Sequence, residues 1–192
     1  MERPILFSAP MVRAILEGRK TQTRRVVKDS TFKATKQGRL MHEGEASAWC
    51  PYGRPGDRLW VRETWAWGKR YSENYALTLE TIPKEKPEYA ELWYRADGEQ
   101  INRVETWRPS IHMPRWASRI NLEVTGIRVE RLQGISEEDA IKEGALLSTP
   151  SINNSWGEGF DRACFRTLWE SINGPGSWEA NPWVWVVEFR QI

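Results

Sequence analysis

The last apolar segment of the chain constrains the fold most. Residues 183–189 have the sequence Trp-Val-Trp-Val-Val-Glu-Phe, so apolar side chains occupy both faces of an extended segment. A strand with one solvated face alternates apolar and polar residues, whereas a strand that is covered on both faces does not. We therefore predict that this segment is a central strand of a sheet or barrel.

The rest of the pattern predicts strands that are interrupted by a few short helices. Residues 118–132 nearly alternate between apolar and polar side chains, with a phase slip at Gly126 that is typical of a β-bulge. Helical spacing or capping signals predict helices at 10–17, after 136–139, and at 160–172. Since the strands and helices show no regular βαβ alternation, we predict an α+β fold around a small mixed barrel.

Length and composition suit a single globular domain over residues 1–192, because 40% of the 192 residues are hydrophobic. The twelve tryptophans are expected mostly in the core and in pocket walls, and the remainder are suited to stacking on a planar ligand. No apolar run approaches the roughly 20 residues of a membrane span, and no signal-peptide pattern is present. Cys50 and Cys164 fit a reducing compartment, with a lone disulfide left open. We expect a cytoplasmic protein.

The octet at residues 18–25 concentrates charge directly after the helix predicted at 10–17. Its sequence, Gly-Arg-Lys-Thr-Gln-Thr-Arg-Arg, contains four cations and two hydroxyls. No carboxylate occurs between Glu17 and Asp29, and residues 1–40 hold ten Lys and Arg against three Asp and Glu, although the net charge of the chain is only +2. This pattern predicts a strongly positive local potential and an anionic partner.

Sites for metals and nucleotide cofactors have no support in the sequence. The only histidines are His42 and His112, and the two cysteines lie far apart, so no pair has the spacing of zinc ligands. A Walker loop, a dinucleotide fingerprint and a zinc-deaminase signature are all missing. Two histidines leave a Ser-His-Asp triad open, but no nucleophile elbow accompanies them. We expect neither a metal nor a cofactor.

The octet resembles the signature of the ASCH domain, a PUA-like fold associated with RNA. The pattern Gly18-x-Lys20-x-x-Thr23-x-Arg25 has threonine where many ASCH members have glutamate, and this form is similar to the bacterial N4-acetylcytidine amidohydrolases. Residues 135–143 resemble the second motif of that family, and the closing strand resembles its last strand. The resemblance covers about half of the chain. Larger ASCH proteins of this kind, many of them phage-encoded, mostly lack an assigned activity.

The resemblance implies a PUA-like mixed β-barrel with short flanking helices, and with a long tryptophan-rich insertion at about 29–118. It also implies a triad of Lys20, Thr23 and Glu143 that hydrolyses the amide of an N4-acylcytidine-type nucleoside without a metal. Thr23 is then the nucleophile and Lys20 its base. Glu143 acts as a proton donor, since the helix dipole disfavours a carboxylate at that end, or as the group that holds Lys20.

The arginines of the octet have a separate predicted role. Arg19, Arg24 and Arg25 are expected to lower the pKa of Lys20 through like charge and to contact phosphate or a base edge, since a guanidinium suits bidentate recognition of anions. Two alternatives to the amidohydrolase stay open. One is a non-catalytic RNA-binding module, in a phage or elsewhere, in which the octet grips phosphates. The other is an RNA-cleaving enzyme.

Overall fold

The computed structural model describes residues 1–27, 50–72, 75–78, 81–98, 104, 106–144 and 160–192. The strands are β1 (Glu2–Leu6), β2 (Gln22–Val26), β3 (Arg58–Arg62), β4 (Trp65–Ser72), β5 (Tyr75–Thr78), β6 (Glu91–Tyr94), β7 (Asn121–Arg131) and β8 (Trp183–Gln191). The α-helices are α1 (Ala9–Leu16), α2 (Glu137–Lys142) and α3 (Phe160–Asn173). Most of the long loop that the sequence predicts at 29–57 lies outside the described residues.

Five strands form the main sheet in the order β1-β3-β7-β8-β2. The β1–β3 pair is parallel, and the other pairs are antiparallel. Strand β8 lies between β7 and β2, with Trp185 and Val187 in one apolar cluster and Val184 and Val186 in another. The central position that the doubly apolar sequence predicts for this strand is therefore confirmed.

The α+β class is confirmed, but the predicted barrel is not closed among the described residues. Strands β1 and β2 are its two edges, and within the described residues they do not pair with each other. The Arg25 guanidinium instead donates from Nη2 to the main-chain oxygen of Leu6 at 2.6 Å. A side chain therefore spans the position where backbone pairing would complete a barrel.

A second, smaller sheet has the strand order β5-β4-β6. The sequence around 68–90, with its prolines and charges, predicts an irregular excursion, and this prediction is wrong for the part that forms β4 and β5. The start of β4 is instead fixed by packing, since Trp65 and Trp67 each meet the ring of Trp116 edge-on. Strand β3, which lies within the stretch predicted as an insertion at 29–118, pairs with β1 and β7 in the main sheet.

The three described α-helices lie where the local sequence patterns predict them. Helix α1 ends just before Gly18, whose φ of 72° is easily adopted by glycine. Ser136 caps α2 by accepting a hydrogen bond from the backbone N–H of Asp139 at 3.1 Å. The predicted bulge is present in β7, where the register with β8 shifts between Val124 and Gly126. None of the helices in the described ranges combines the length and the apolar character that a bilayer crossing requires.

Two apolar clusters sandwich the β2–β8 end of the main sheet. One contains Phe7 and Val12 and lies on the side of α1, and the other contains Phe165 and Trp169 and lies on the side of α2 and α3. Because β2 is an edge strand between these clusters, its side chains reach both of them. The two cysteines, Cys50 and Cys164, are free thiols, so the disulfide left open by the sequence does not form.

Candidate active site

The end of α2 holds the octet in place. The backbone N–H of Thr21 donates to the oxygen of Lys142 at 2.9 Å, and the Thr21 oxygen accepts from Phe189 of β8 at 2.8 Å. From Thr21 onward the chain runs as β2, in which successive side chains alternate between the two faces of the sheet. Thr23 and Arg25 therefore share the face on the side of α1, while Arg24 points to the opposite face.

Lys20 and Glu143 form a buried ion pair. The Nζ of Lys20 donates to Glu143 Oε2 at 3.0 Å and to the Glu143 main-chain oxygen at 2.8 Å. The side chain of Lys20 is 0% exposed and that of Glu143 4% exposed. Gly144 packs closely against Lys20, because a Cβ atom added at Gly144 would lie only 3.2 Å from the Cβ of Lys20. The structure thus brings together the two sequence-distant segments that the triad requires.

The surroundings of Lys20 lower the pKa of its ammonium group. Burial lowers the pKa of Lys20, Glu143 opposes this effect, and the nearby charges of Arg25 and Arg24 add to it, so that the pKa lies below its ordinary value. The sequence also predicted a lowered pKa for Lys20, but Arg19 does not contribute to this shift. Arg19 lies at the surface and pairs with Glu17.

Arg24 is neutralised by carboxylates that lie far away in the sequence. Its guanidinium donates to Glu143 Oε1 at 3.0 Å, to Asp139 Oδ2 at 2.7 Å and to Glu130 Oε1 at 3.2 Å from Nε. Arg128 extends this network by pairing with Glu130 and Asp139. The strongly positive potential predicted for the octet is therefore wrong, because the missing carboxylates come from β7 and α2.

This network also corrects the predicted role of Arg24. Its side chain is 0% exposed and its guanidinium has three carboxylate partners, so it has neither the access nor the free charge to grip an RNA phosphate. Arg25 differs, since its guanidinium donates to a main-chain oxygen and lies 5.3 Å from the ring centroid of Phe7. Of the three arginines predicted to bind substrate, Arg25 is the one that lines the site and has no carboxylate partner among the described residues.

Glu143 has both carboxylate oxygens engaged as acceptors. Oε2 accepts from Lys20 and Oε1 accepts from Arg24. The residue follows α2 directly and closes its last turn, with its backbone N–H bonded to the oxygen of Asp139 at 2.9 Å. Of the two predicted roles, holding Lys20 fits this geometry, whereas donating a proton does not.

A cleft of about 160 Å³ runs along the free edge of β2. Residues 23–26 form one wall and one face of α3 forms the other, and Met11, Tyr52 and Glu143 complete the lining. Thr23 lines this cleft together with Glu143, whereas Lys20 lies behind them in the interior. Since a cavity of about 150 Å³ holds a benzene ring, the cleft has room for one six-membered ring.

Two cleft residues, Tyr52 and Trp169, were not among the predicted site residues. Trp169 belongs to the apolar face of the helix predicted at 160–172, which the sequence pattern assigns to the core. Its helical spacing was a correct signal for burial but contains no information about a cleft. Tyr52 lies in a turn-rich segment without a repeating pattern, and burial raises the pKa of its hydroxyl.

The Arg24 network makes the stability of the fold depend on pH. Burial raises the pKa of Asp139, but the hydrogen bond from Arg24 and the charge of Arg128 outweigh burial, so the pKa lies below its usual range. The resulting stabilisation is complete above the unfolded-state pKa of about 3.9 and is lost as the pH falls through the lower folded-state pKa. We expect the free energy of unfolding in urea to fall more steeply below about pH 4 in the wild type than in Asp139→Asn. An equal slope in the two proteins would contradict this account.

No family model matches the sequence, and no curated protein matches it. Among solved structures, the chain is similar to the high-resolution crystal structure of an ASCH domain from Lactobacillus crispatus JV V101. The two share 11% sequence identity with a TM-score of 0.38, over 99% of this chain and 79% of that chain.

Proposed function

We propose that the protein is a metal-independent hydrolase that cleaves the amide of an N4-acylcytidine-type nucleoside, free or within RNA. The observation that carries this proposal is the buried Lys20–Glu143 pair behind a cleft that Thr23 lines. The cleft has the volume of a single ring. The resemblance of the octet to the N4-acetylcytidine amidohydrolases supplies the substrate class.

The contacts of Lys20 suit the role of a base. A neutral amine has two N–H bonds and one lone pair, and the two observed hydrogen bonds to Glu143 use both N–H bonds. The lone pair is then left to accept the proton of the Thr23 hydroxyl, which is a poor nucleophile until that proton is removed. Glu143 is thus a positioning residue that fixes the direction of the lone pair.

The reaction proceeds in two balanced halves. Thr23 Oγ1 attacks the acyl carbon while its proton passes to Lys20, and the tetrahedral intermediate collapses to an acyl-threonine ester. The N4 nitrogen of cytosine leaves with the proton that Lys20 returns, which gives cytidine. Water then attacks the ester with Lys20 again as the base, and a carboxylic acid is released as Thr23 regains its proton.

The pKa of Lys20 predicts the pH dependence of this reaction. The base must be neutral, so kcat/KM is expected to rise with pH and to level off above the folded-state pKa of Lys20, which burial places below the ordinary 10.4 of lysine. Initial rates between pH 5 and pH 10 measure this curve. The variant Thr23→Ser should show lower rates with the same inflection, because the base is unchanged. A flat profile would exclude Lys20 as the base.

The proposal is tested by incubating the purified protein with N4-acetylcytidine and following the loss of the acetylated chromophore. A short RNA with one N4-acetylcytidine, assayed in parallel, distinguishes the free nucleoside from a polymer substrate. The control is Thr23→Ala at the same concentration. Turnover that depends on Thr23 supports the hydrolase. Absence of turnover on both substrates, with retained affinity for the RNA, would instead support the non-catalytic RNA-binding module.

A further inference from the structure

Two buried N–H groups of cleft-lining residues have no partner among the described residues. Within the part of the chain that the structure describes, the Nε of Arg25 and the Nε1 of Trp169 are shielded from solvent and form no hydrogen bond. Both residues line the cleft, Arg25 from β2 and Trp169 from α3. Buried donors are normally paired, so an unpaired donor in a cleft wall calls for an acceptor that is not part of the described chain.

Arg24, Glu143 and Asn173, three further polar residues of the cleft, are already engaged. Arg24 and Glu143 bind each other, and Glu143 also binds Lys20. The amide nitrogen of Asn173 donates to the main-chain oxygen of Trp169 at 3.0 Å. The buried and uncommitted side-chain atoms among the described cleft residues are therefore both donors, which selects a ligand with acceptor atoms.

The walls also define the shape of such a ligand. Apolar side chains of Phe165, Leu168 and Ile172 extend along the α3 wall, and Met11 faces the cleft from α1. A volume of about 160 Å³ between these walls fits one ring. Acceptors are needed towards both walls, because one donor lies on β2 and the other on α3.

We propose that Arg25 and Trp169 hold the two carbonyl oxygens of the substrate, Arg25 the acyl oxygen and Trp169 the ring oxygen. This inference rests on the proposed function. Thr23 and Arg25 are two residues apart on one strand face, about 6.6 Å along the strand, so the guanidinium is the donor nearer to the acyl carbon that Thr23 attacks. Its positive charge then stabilises the oxyanion that forms there. Trp169, on the opposite wall, binds the pyrimidine carbonyl.

Trp169→Phe tests the indole contact, because it keeps an aromatic ring and removes the N–H. Trp178→Phe is the matched control: both tryptophans pack against Phe165, with ring centroids 6.0 and 6.3 Å away, but Trp178 does not line the cleft. We expect Trp169→Phe to raise the KM for N4-acetylcytidine about three- to tenfold, with kcat changed less than twofold. Trp178→Phe should leave the KM unchanged. An equal effect of the two substitutions on KM would overturn the role of Trp169.

Binding measurements in the Thr23→Ala background separate this inference from the proposed function. Trp169→Phe should weaken cytidine and N4-acetylcytidine equally, because both have the ring carbonyl. Arg25→Lys, with its fold checked by thermal unfolding, should weaken only N4-acetylcytidine, and in active protein it should lower kcat at least tenfold. If these affinity changes are observed but the wild type shows no turnover, the proposed hydrolase activity is refuted and the binding roles of Arg25 and Trp169 are retained. If the wild type shows turnover but these affinity changes are not observed, only the binding roles of Arg25 and Trp169 are refuted.

Discussion

Replacing Thr23 by alanine should abolish the hydrolysis of N4-acetylcytidine. The substitution removes the only atom that forms the acyl-enzyme bond in the proposed reaction. The affinity for the substrate should stay within about 1 kcal/mol of the wild type, the size of one ordinary hydrogen bond. Single-turnover kinetics and equilibrium binding on the same protein measure the two quantities.

Two controls make this result specific. Thr23→Ser retains a hydroxyl and should retain part of the rate. Thr21→Ala changes a threonine of the same octet whose side chain is exposed, and it should leave the rate within about twofold, since surface substitutions are usually neutral. Hydrolysis that persists in Thr23→Ala would show that the nucleophile is another residue or a water molecule.

The second large effect is on stability. Glu143→Ala should lower the free energy of unfolding by about 3–5 kcal/mol, because it leaves Lys20 and one nitrogen of Arg24 buried without their acceptor. Urea unfolding at pH 7 measures the loss. The exposed pair of Glu138 and Lys142 on α2 is the comparison, and Glu138→Ala should change the stability little.

A double variant distinguishes an uncompensated charge from simple loss of packing. Lys20→Met combined with Glu143→Leu removes both charges and keeps similar volumes, so it should recover the part of the loss that comes from the unpaired Lys20. Arg24 Nη1 lacks its acceptor in both variants, and that part of the loss should remain. The double variant should have no hydrolytic activity, because the base is gone. A double variant as unstable as Glu143→Ala would mean that the unpaired charge of Lys20 is not the source of the loss, which would then lie in the hydrogen bond between Glu143 and Arg24.

The elements that the sequence predicted correctly depend on local signals. Pro10 and Gly18 mark the ends of α1, Ser136 marks the start of α2, and the doubly apolar run at 183–189 marks the central strand. Each signal lies within a few residues of the structure that it specifies. The pairing of Lys20 with Glu143 was predicted only from the family resemblance, since no local pattern joins residues 123 positions apart.

The unpredicted features depend on long-range contacts. The octet contains no carboxylate, and its neutralisation by Glu130 and Asp139 depends on the register of β7 and on the position of α2. Similarly, no local pattern predicted a strand at Trp67, because its place in β4 depends on packing against Trp116. An apolar helix face specifies burial but not what covers it, so the place of Trp169 in a cleft wall was not predictable.

The edge position of β2 has a consequence for solubility. An uncovered edge strand offers its backbone to any other extended chain and promotes intermolecular pairing. Here the approach is lined by the Arg25 guanidinium and by one face of α3, which leaves little room for a second strand. We therefore expect variants that empty this cleft to expose the edge of β2, and they should be assayed for aggregation as well as for catalysis.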